Sequence, residues 1–149
     1  VQGLEAAGED LRVSSRPNLL VLFNPALNTS RLGPIIGSEQ IARQISVNDH
    51  LAPNTPPAIL LFGTEDKLLA MGEEYIAKAK QLNLEAELHT ADGMGHGFFN
   101  RPPWQERTLY LVDQFLGRHG YVQGPPAIKL PEGPQMKLAG KSGPREPKD

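Results

Sequence analysis

The chain of 149 residues is long enough for one ordinary domain. Its formal net charge of −2, with 21% charged residues, indicates no broad electrostatic attraction to nucleic acid or to a membrane surface. The sequence contains no cysteine, which excludes disulfides, thiolate zinc sites and a cysteine nucleophile.

Three short strands are predicted in the first two thirds of the chain. The runs LLVLF (19–23) and AILLF (58–62) are apolar at every position, which is typical of strands inside a parallel sheet covered by helices. The run LEAELHT (84–90) alternates apolar and polar residues, so it is predicted to be a half-exposed strand near a sheet edge.

Helices are predicted between and after these strands. A helical apolar stripe runs through 71–83, and a second begins after Pro102-Pro103 and continues to Phe115. A shorter helix is predicted over 38–44. The alternation of strands and helices predicts an α/β domain with right-handed crossovers.

The last part of the sequence differs from the rest. Residues 121–149 are rich in proline and glycine and have few apolar side chains to bury, so they are predicted to form a flexible tail after a folded part at 1–120. Two of the three strands are apolar on both faces and need a neighbour on each side, yet three strands provide only one such position. We therefore expect the sheet to lack N-terminal strands, which would precede Val1.

Two chemically active side chains follow neighbouring strands. Asp66 comes directly after the second strand, and His96 lies in a glycine-rich loop, ADGMGHGFFN, after the third strand. Reactive groups of open parallel sheets gather at the carboxyl ends of the strands, so the two loops should lie side by side. A carboxylate there can hold one imidazole nitrogen and leave the other free to act as a general base. Gly93, Gly95 and Gly97 are expected to let the loop bring the imidazole over the sheet edge.

These segments resemble the C-terminal part of an α/β-hydrolase fold, with three mostly parallel strands and flanking helices. The similar stretches are RPNLLVLFNP, PPAILLFGTEDKLL and GMGHGFFN, and the resemblance extends over residues 1 to about 121. It is to esterases related to dienelactone hydrolase and to the acetylxylan-esterase-like (BD-FAE) group. The resemblance implies the chain order nucleophile, acid, base, with Asp66 as the acid, His96 as the base and no cofactor.

The nucleophile of that family is absent from the sequence. No G-x-S-x-G segment occurs among the serines, which are Ser14, Ser15, Ser30, Ser38, Ser46 and Ser142. Ser14 and Ser15 precede the first strand, and Ser142 follows the histidine in the predicted tail. The acid-and-base half of a hydrolase is therefore expected, inactive by itself.

Other residues carry weaker signals. Glu65 and Asp92 are alternative acids, and Phe98 and Phe99 are expected to anchor the core more than to line an acyl pocket. Asn24, Pro25 and Asn28 are expected to form a turn, with a pocket wall as the alternative. The three remaining histidines show no metal-ligand spacing, so no metal site is predicted; they are His50, His89 and His119.

The sequence thus favours a serine esterase that acts on small-molecule esters, with short acyl or acetylated carbohydrate esters implied by the resemblance. No nucleic-acid or membrane partner is expected. Two alternatives stay open. One is a non-catalytic α/β module that binds a partner through a sheet edge. The other is a small flavodoxin-like domain, against which the lack of a glycine-rich phosphate loop after LLVLF counts.

Overall fold

The computed structural model describes residues 8–10 and 12–143, which form a four-stranded sheet with helices on both faces. The strands are β1 (Leu20–Phe23), β2 (Ala58–Gly63), β3 (Ala86–Ala91) and β4 (Lys137–Ser142), and they lie side by side in that order. The first three are parallel, and β4 runs antiparallel to β3.

The central strand β2 is buried at every position, because a layer of helix covers each face of the sheet. Leu60 and Phe62 point to one face and pack with the helix α3 (Leu69–Leu82). Ile59 and Leu61 point to the other face and pack with α4 (Trp104–Arg118). The alternation explains why the run is apolar throughout, and the predicted interior position of this strand is confirmed.

The predicted helices are all present. Two short helices, α1 (Gly33–Ile36) and α2 (Glu39–Gln44), follow β1, and Ser38 caps α2 by accepting a hydrogen bond from the N–H of Ile41 at 3.2 Å. Short 3-10 turns cover Thr29–Leu32, Val47–Asp49 and Phe98–Asn100. None of the helices in the described ranges is long and apolar enough to cross a bilayer.

The prediction of a flexible tail is wrong for residues 137–142, which form β4. Backbone groups at the outer edge of β3 bind this segment, with a bulge between Leu88 and His89. The segment 121–136 contains no helix or strand, and the tail prediction for 144–149 lies outside the described residues, as do the predictions for 1–7 and residue 11.

Because β4 covers its edge, β3 is not the half-exposed edge strand that its alternation predicted. Glu87 and His89, the polar residues of that alternation, lie against α4, where Arg118 contacts Glu87 at 2.6 Å. Burial alone would raise the pKa of Glu87, but hydrogen bonding to His89 and the charge of Arg118 outweigh it and lower the pKa. The ion pair with Arg118 compensates the partial burial of Glu87.

The opposite edge of the sheet is formed by β1. Within the described ranges, β1 pairs with β2 alone, and its four residues are half-buried. This edge is where the additional strands expected from the sequence would pair.

Burial of Tyr75 in α3 makes the stability of the fold sensitive to alkaline pH. Tyr75 is 1% exposed, and burial raises its pKa to about 12 from an ordinary value of 10.0. The neutral phenol is favoured in the folded state, so this stabilisation is complete below pH 10 and decreases as the pH rises toward 12. We expect the free energy of unfolding to fall by about 3 kcal/mol across that interval because of this group.

Urea unfolding across that pH interval tests this expectation. The alkaline loss should be smaller in Tyr75→Phe, while Tyr121→Phe, which changes a tyrosine that is 56% exposed, should behave like the unmodified protein. Equal losses in all three proteins would contradict the prediction.

Candidate active site

Three loops meet at the carboxyl ends of β1, β2 and β3, since parallel strands end at the same edge of the sheet. Asn24 follows β1, Asp66 follows β2, and His96 follows β3. Asp66 and His96, the pair predicted from the sequence, are brought together here.

Asp66 is held in a tight turn between β2 and α3. Its N–H donates to the carbonyl of Gly63 at 3.1 Å, and its carbonyl accepts from the N–H of Leu69 at 3.0 Å, at the start of α3. Its Oδ1 accepts from the N–H of Leu68 at 2.9 Å. The side chain is 1% exposed, so this carboxylate lies below the surface and its direction is fixed.

His96 lies above that carboxylate. Its Nδ1 is 3.1 Å from Oδ2 of Asp66, and its side chain is 64% exposed. Because a carboxylate accepts hydrogen bonds, the contact favours the tautomer with the proton on Nδ1. Nε2 is then left as an acceptor for a second partner. Of the two alternative acids, Glu65 is exposed, and the carboxylate of Asp92 lies 3.4 Å from Nζ of Lys137.

Close backbone contacts join the acid loop to the histidine loop. The N–H of Glu65 donates to the carbonyl of Met94 at 2.9 Å, and the N–H of Gly93 donates to Oγ1 of Thr64 at 2.8 Å. A Cβ atom on Gly63 would lie 1.9 Å from that Met94 oxygen, so the approach requires glycine at position 63.

Only two of the three glycines in the histidine loop have a backbone that requires glycine. Gly93 and Gly97 have φ values of 67° and 77°, in the left-handed region. Gly95 lies outside that region, and a Cβ there would meet no atom within 4 Å. The expectation that all three glycines shape the loop is therefore wrong for Gly95.

An open cleft of about 610 Å³ lies beside the imidazole. Its walls include His96, Met94, Phe98, Arg101 and Trp104. Phe98 is 6% exposed and packs edge-on to Trp104, with 5.9 Å between ring centroids. Phe98 therefore anchors the loop to the core while forming part of the cleft wall.

For Asn24, the sequence pattern favoured a turn, with a pocket wall as the alternative. Asn24 is 4% exposed, donates from Nδ2 to Oδ2 of Asp66, and accepts at Oδ1 from the N–H of Gly97 at 3.2 Å. Its position directly after an apolar strand, at the same edge as the acid and the base, was the signal for a site role.

Three serines that the sequence pattern rejected as the nucleophile make contacts elsewhere in the fold. Ser142 pairs with Ala86 at the amino end of β3, whereas His96 follows its carboxyl end. Ser30 donates to Oδ1 of Asn28 at 2.6 Å, and Ser38 caps α2. In the described part of the chain no serine hydroxyl bonds His96, and no cluster of three histidine or acidic residues suited to a metal was found.

The fold is similar to that of solved esterase structures. A thermophilic esterase from the planctomycete Thermogutta terrifontis, in its propionate-bound structure, is 31% identical with a TM-score of 0.70 over 81% of this chain and 50% of that chain. The esterase 2 of that organism phosphorylated by paraoxon is 32% identical with a TM-score of 0.72, over 80% and 47%. This is an α/β-hydrolase-like fold.

The chain spans about half the length of these esterase structures. A scan against protein-family models matches none, and a search of curated proteins finds no match.

Gly63 offers a direct test of how the two loops are joined. Gly63→Ala would place a methyl group against the Met94 carbonyl, so we expect the variant to lose about 1–3 kcal/mol of stability and to displace the histidine loop. Gly95→Ala, in open space two residues along the same loop from Gly93, should change stability by less than about 0.5 kcal/mol. Urea unfolding and backbone chemical shifts of residues 92–97 measure both effects. Similar results for the two variants would contradict the close approach.

Proposed function

We propose that this chain supplies the acid and the base of a serine hydrolase that acts on carboxylic esters. The observation that carries the proposal is the 3.1 Å contact between Nδ1 of His96 and Oδ2 of the buried Asp66. The pair lies where α/β sheets place their reactive groups. The similarity to an esterase over 81% of the chain supports the same reaction class.

The mechanism follows from the different roles of the two imidazole nitrogens of His96. Nε2 of His96 takes the proton from a serine hydroxyl as its oxygen attacks the ester carbonyl, and then passes that proton to the leaving alcohol. The same nitrogen next activates a water molecule that hydrolyses the acyl-enzyme. Asp66 holds the ring and stabilises the imidazolium that forms in each step.

The substrates we propose are short acyl or acetylated carbohydrate esters, as the resemblance to dienelactone-hydrolase-like and acetylxylan-esterase-like enzymes implies. Structures of the Thermogutta terrifontis esterase include propionate-bound and butyrate-bound forms, which supports a short acyl group. The cleft beside His96, with Phe98 and Trp104 in its walls, offers apolar surface to such a group.

We propose that the nucleophile belongs to strands that pair beyond β1. Organophosphates phosphorylate a nucleophile, and the similar esterase is phosphorylated by paraoxon. The sequence of this chain has no G-x-S-x-G segment. The unpaired edge of β1 in the described ranges, together with a chain that spans half of the esterase, supports a nucleophile supplied from outside these residues.

The first test is the activity of this chain by itself. Without a nucleophile or an oxyanion hole, it should hydrolyse p-nitrophenyl acetate no faster than a control protein of equal histidine content. Hydrolysis far above that background, abolished by His96→Ala, would show that the nucleophile lies within the chain and would overturn this part of the proposal.

The second test uses the reading frame that precedes Val1. It should encode a strand followed by G-x-S-x-G, and the protein including it should hydrolyse p-nitrophenyl butyrate. In that protein, Asp66→Asn should lower kcat roughly 10⁴-fold and His96→Ala roughly 10⁶-fold, because each removes a member of one catalytic unit. Glu65→Gln, which changes the exposed neighbour of Asp66, should leave kcat unchanged. Equal loss in the Glu65 variant would argue against Asp66 as the acid.

A non-catalytic interaction module is the second candidate, favoured by the edge of β1 that no other described strand pairs with. Unpaired backbone groups of an edge strand can bind an extended peptide by adding a strand to the sheet. This candidate predicts that His96→Ala leaves function unchanged. The same kinetic measurements therefore separate the two functions.

A further inference from the structure

The amide of Asn24 bridges the acid loop and the histidine loop. Its Nδ2 donates to Oδ2 of Asp66, and its Oδ1 accepts from the N–H of Gly97, the residue after His96, at 3.2 Å. The residue is 4% exposed, so water does not compete freely for either bond. Asn24 thus joins the two loops from a third position, the end of β1.

The chemistry of these two neighbours determines the orientation of the amide. The carboxylate of Asp66 only accepts hydrogen bonds when ionised, and the N–H of Gly97 only donates. Reversing the amide would place its oxygen against the carboxylate and its NH₂ against the N–H of Gly97. The observed orientation satisfies both neighbours.

The hydrogen bond from Asn24 reaches the same carboxylate oxygen as the imidazole does. Oδ2 of Asp66 accepts from Asn24 and faces Nδ1 of His96, while Oδ1 accepts from the N–H of Leu68. Bonds at both oxygens prevent rotation of the carboxylate about its Cβ–Cγ bond. The lone pair that faces His96 therefore keeps its direction.

The backbone of Asn24 places the amide in this position. Its N–H donates to the carbonyl of Leu61 at 2.9 Å, which continues the pairing of β1 with β2 by one residue. Its φ of 44° then lies in the left-handed region, where asparagine is among the better tolerated residues. The turn directs the side chain across the ends of β2 and β3.

We propose that Asn24 is a positioning residue for the catalytic histidine. It fixes the carboxylate of Asp66 and the backbone beside His96 together, so that the imidazole keeps its proton on Nδ1 and presents Nε2 to the substrate. The assignment rests on the proposed function for its catalytic meaning. The tautomer itself can be measured without any hydrolytic activity.

Nuclear magnetic resonance on the folded chain tests the shared oxygen first. Removing the imidazole in His96→Ala leaves Oδ2 of Asp66 to Asn24 alone, so the side-chain amide protons of Asn24 should shift. His50→Ala, which changes an exposed histidine that contacts the carbonyl of Arg43 at 3.2 Å, should leave those protons in place. An unchanged Asn24 signal in His96→Ala overturns the proposal.

The second experiment removes the amide. Asn24→Gly deletes both hydrogen bonds and keeps a residue suited to positive φ. In the neutral ring, the ratio of the Nδ1–H to the Nε2–H tautomer, read from ¹⁵N shifts of His96, should fall about fivefold, the equivalent of one net hydrogen bond.

Asn28→Gly is the matched control. Asn28 lies four residues away in the same loop, is also 4% exposed, and donates to Oε2 of Glu74 at 2.9 Å. This variant should lose stability and keep the His96 tautomer ratio.

If Asn24→Gly loses stability but keeps the tautomer ratio within twofold, Asn24 is only structural and the proposal is wrong. If Asn24→Gly does not fold, the shift of the Asn24 amide in His96→Ala decides.

The tautomer ratio of His96 tests the role of Asn24 independently of the proposed hydrolase reaction. A chain that shows the tautomer change but belongs to a protein without esterase activity would keep the positioning assignment and refute the hydrolase. Conversely, a protein that has esterase activity but whose His96 tautomer ratio does not respond to Asn24→Gly would support the hydrolase and refute the positioning assignment.

Discussion

A carboxylate that is almost completely buried must be compensated by hydrogen bonds, and the site is organised around this requirement. Asp66 loses nearly all contact with water, and an ionised group in that position is costly unless donors surround it. The donors come from its own turn, from the loop after β1 and from the loop after β3. The hydrogen bonds that compensate the Asp66 carboxylate thus hold the three loops together. The same carboxylate orients the exposed imidazole of His96.

Most of the fold could be predicted from the sequence because its signals are local. Continuous apolar runs indicated β1 and β2, and helical stripes with recognisable starts indicated α2, α3 and α4. The two site residues could be paired for a more general reason. Parallel strands end at one edge, so a spacing that fits one helix and one strand brings Asp66 beside His96.

The failures of prediction concern interactions that a local pattern does not contain. Strand β4 contains two lysines, a glycine and little apolar surface, and it forms because β3 offers unpaired backbone groups. When β4 pairs with β3, His89 is also buried, although the alternation of β3 predicted that it would face solvent. Asn24 was taken for a turn residue because its partners are 42 and 73 positions away in the chain.

The two outer strands of the sheet, β1 and β4, differ in how well their edges can pair with a further strand. Lysines at both ends of β4, Lys137 and Lys141, together with the bulge in its pairing, make that side a poor template for a further strand. Strand β1 contains Leu20, Val21, Leu22 and Phe23, with neither a lysine nor a bulge in its own described pairing. The sheet is therefore more readily extended on the side of Leu20–Phe23 than on the side of β4, and copies of the chain in which that edge is unpaired would associate edge to edge there.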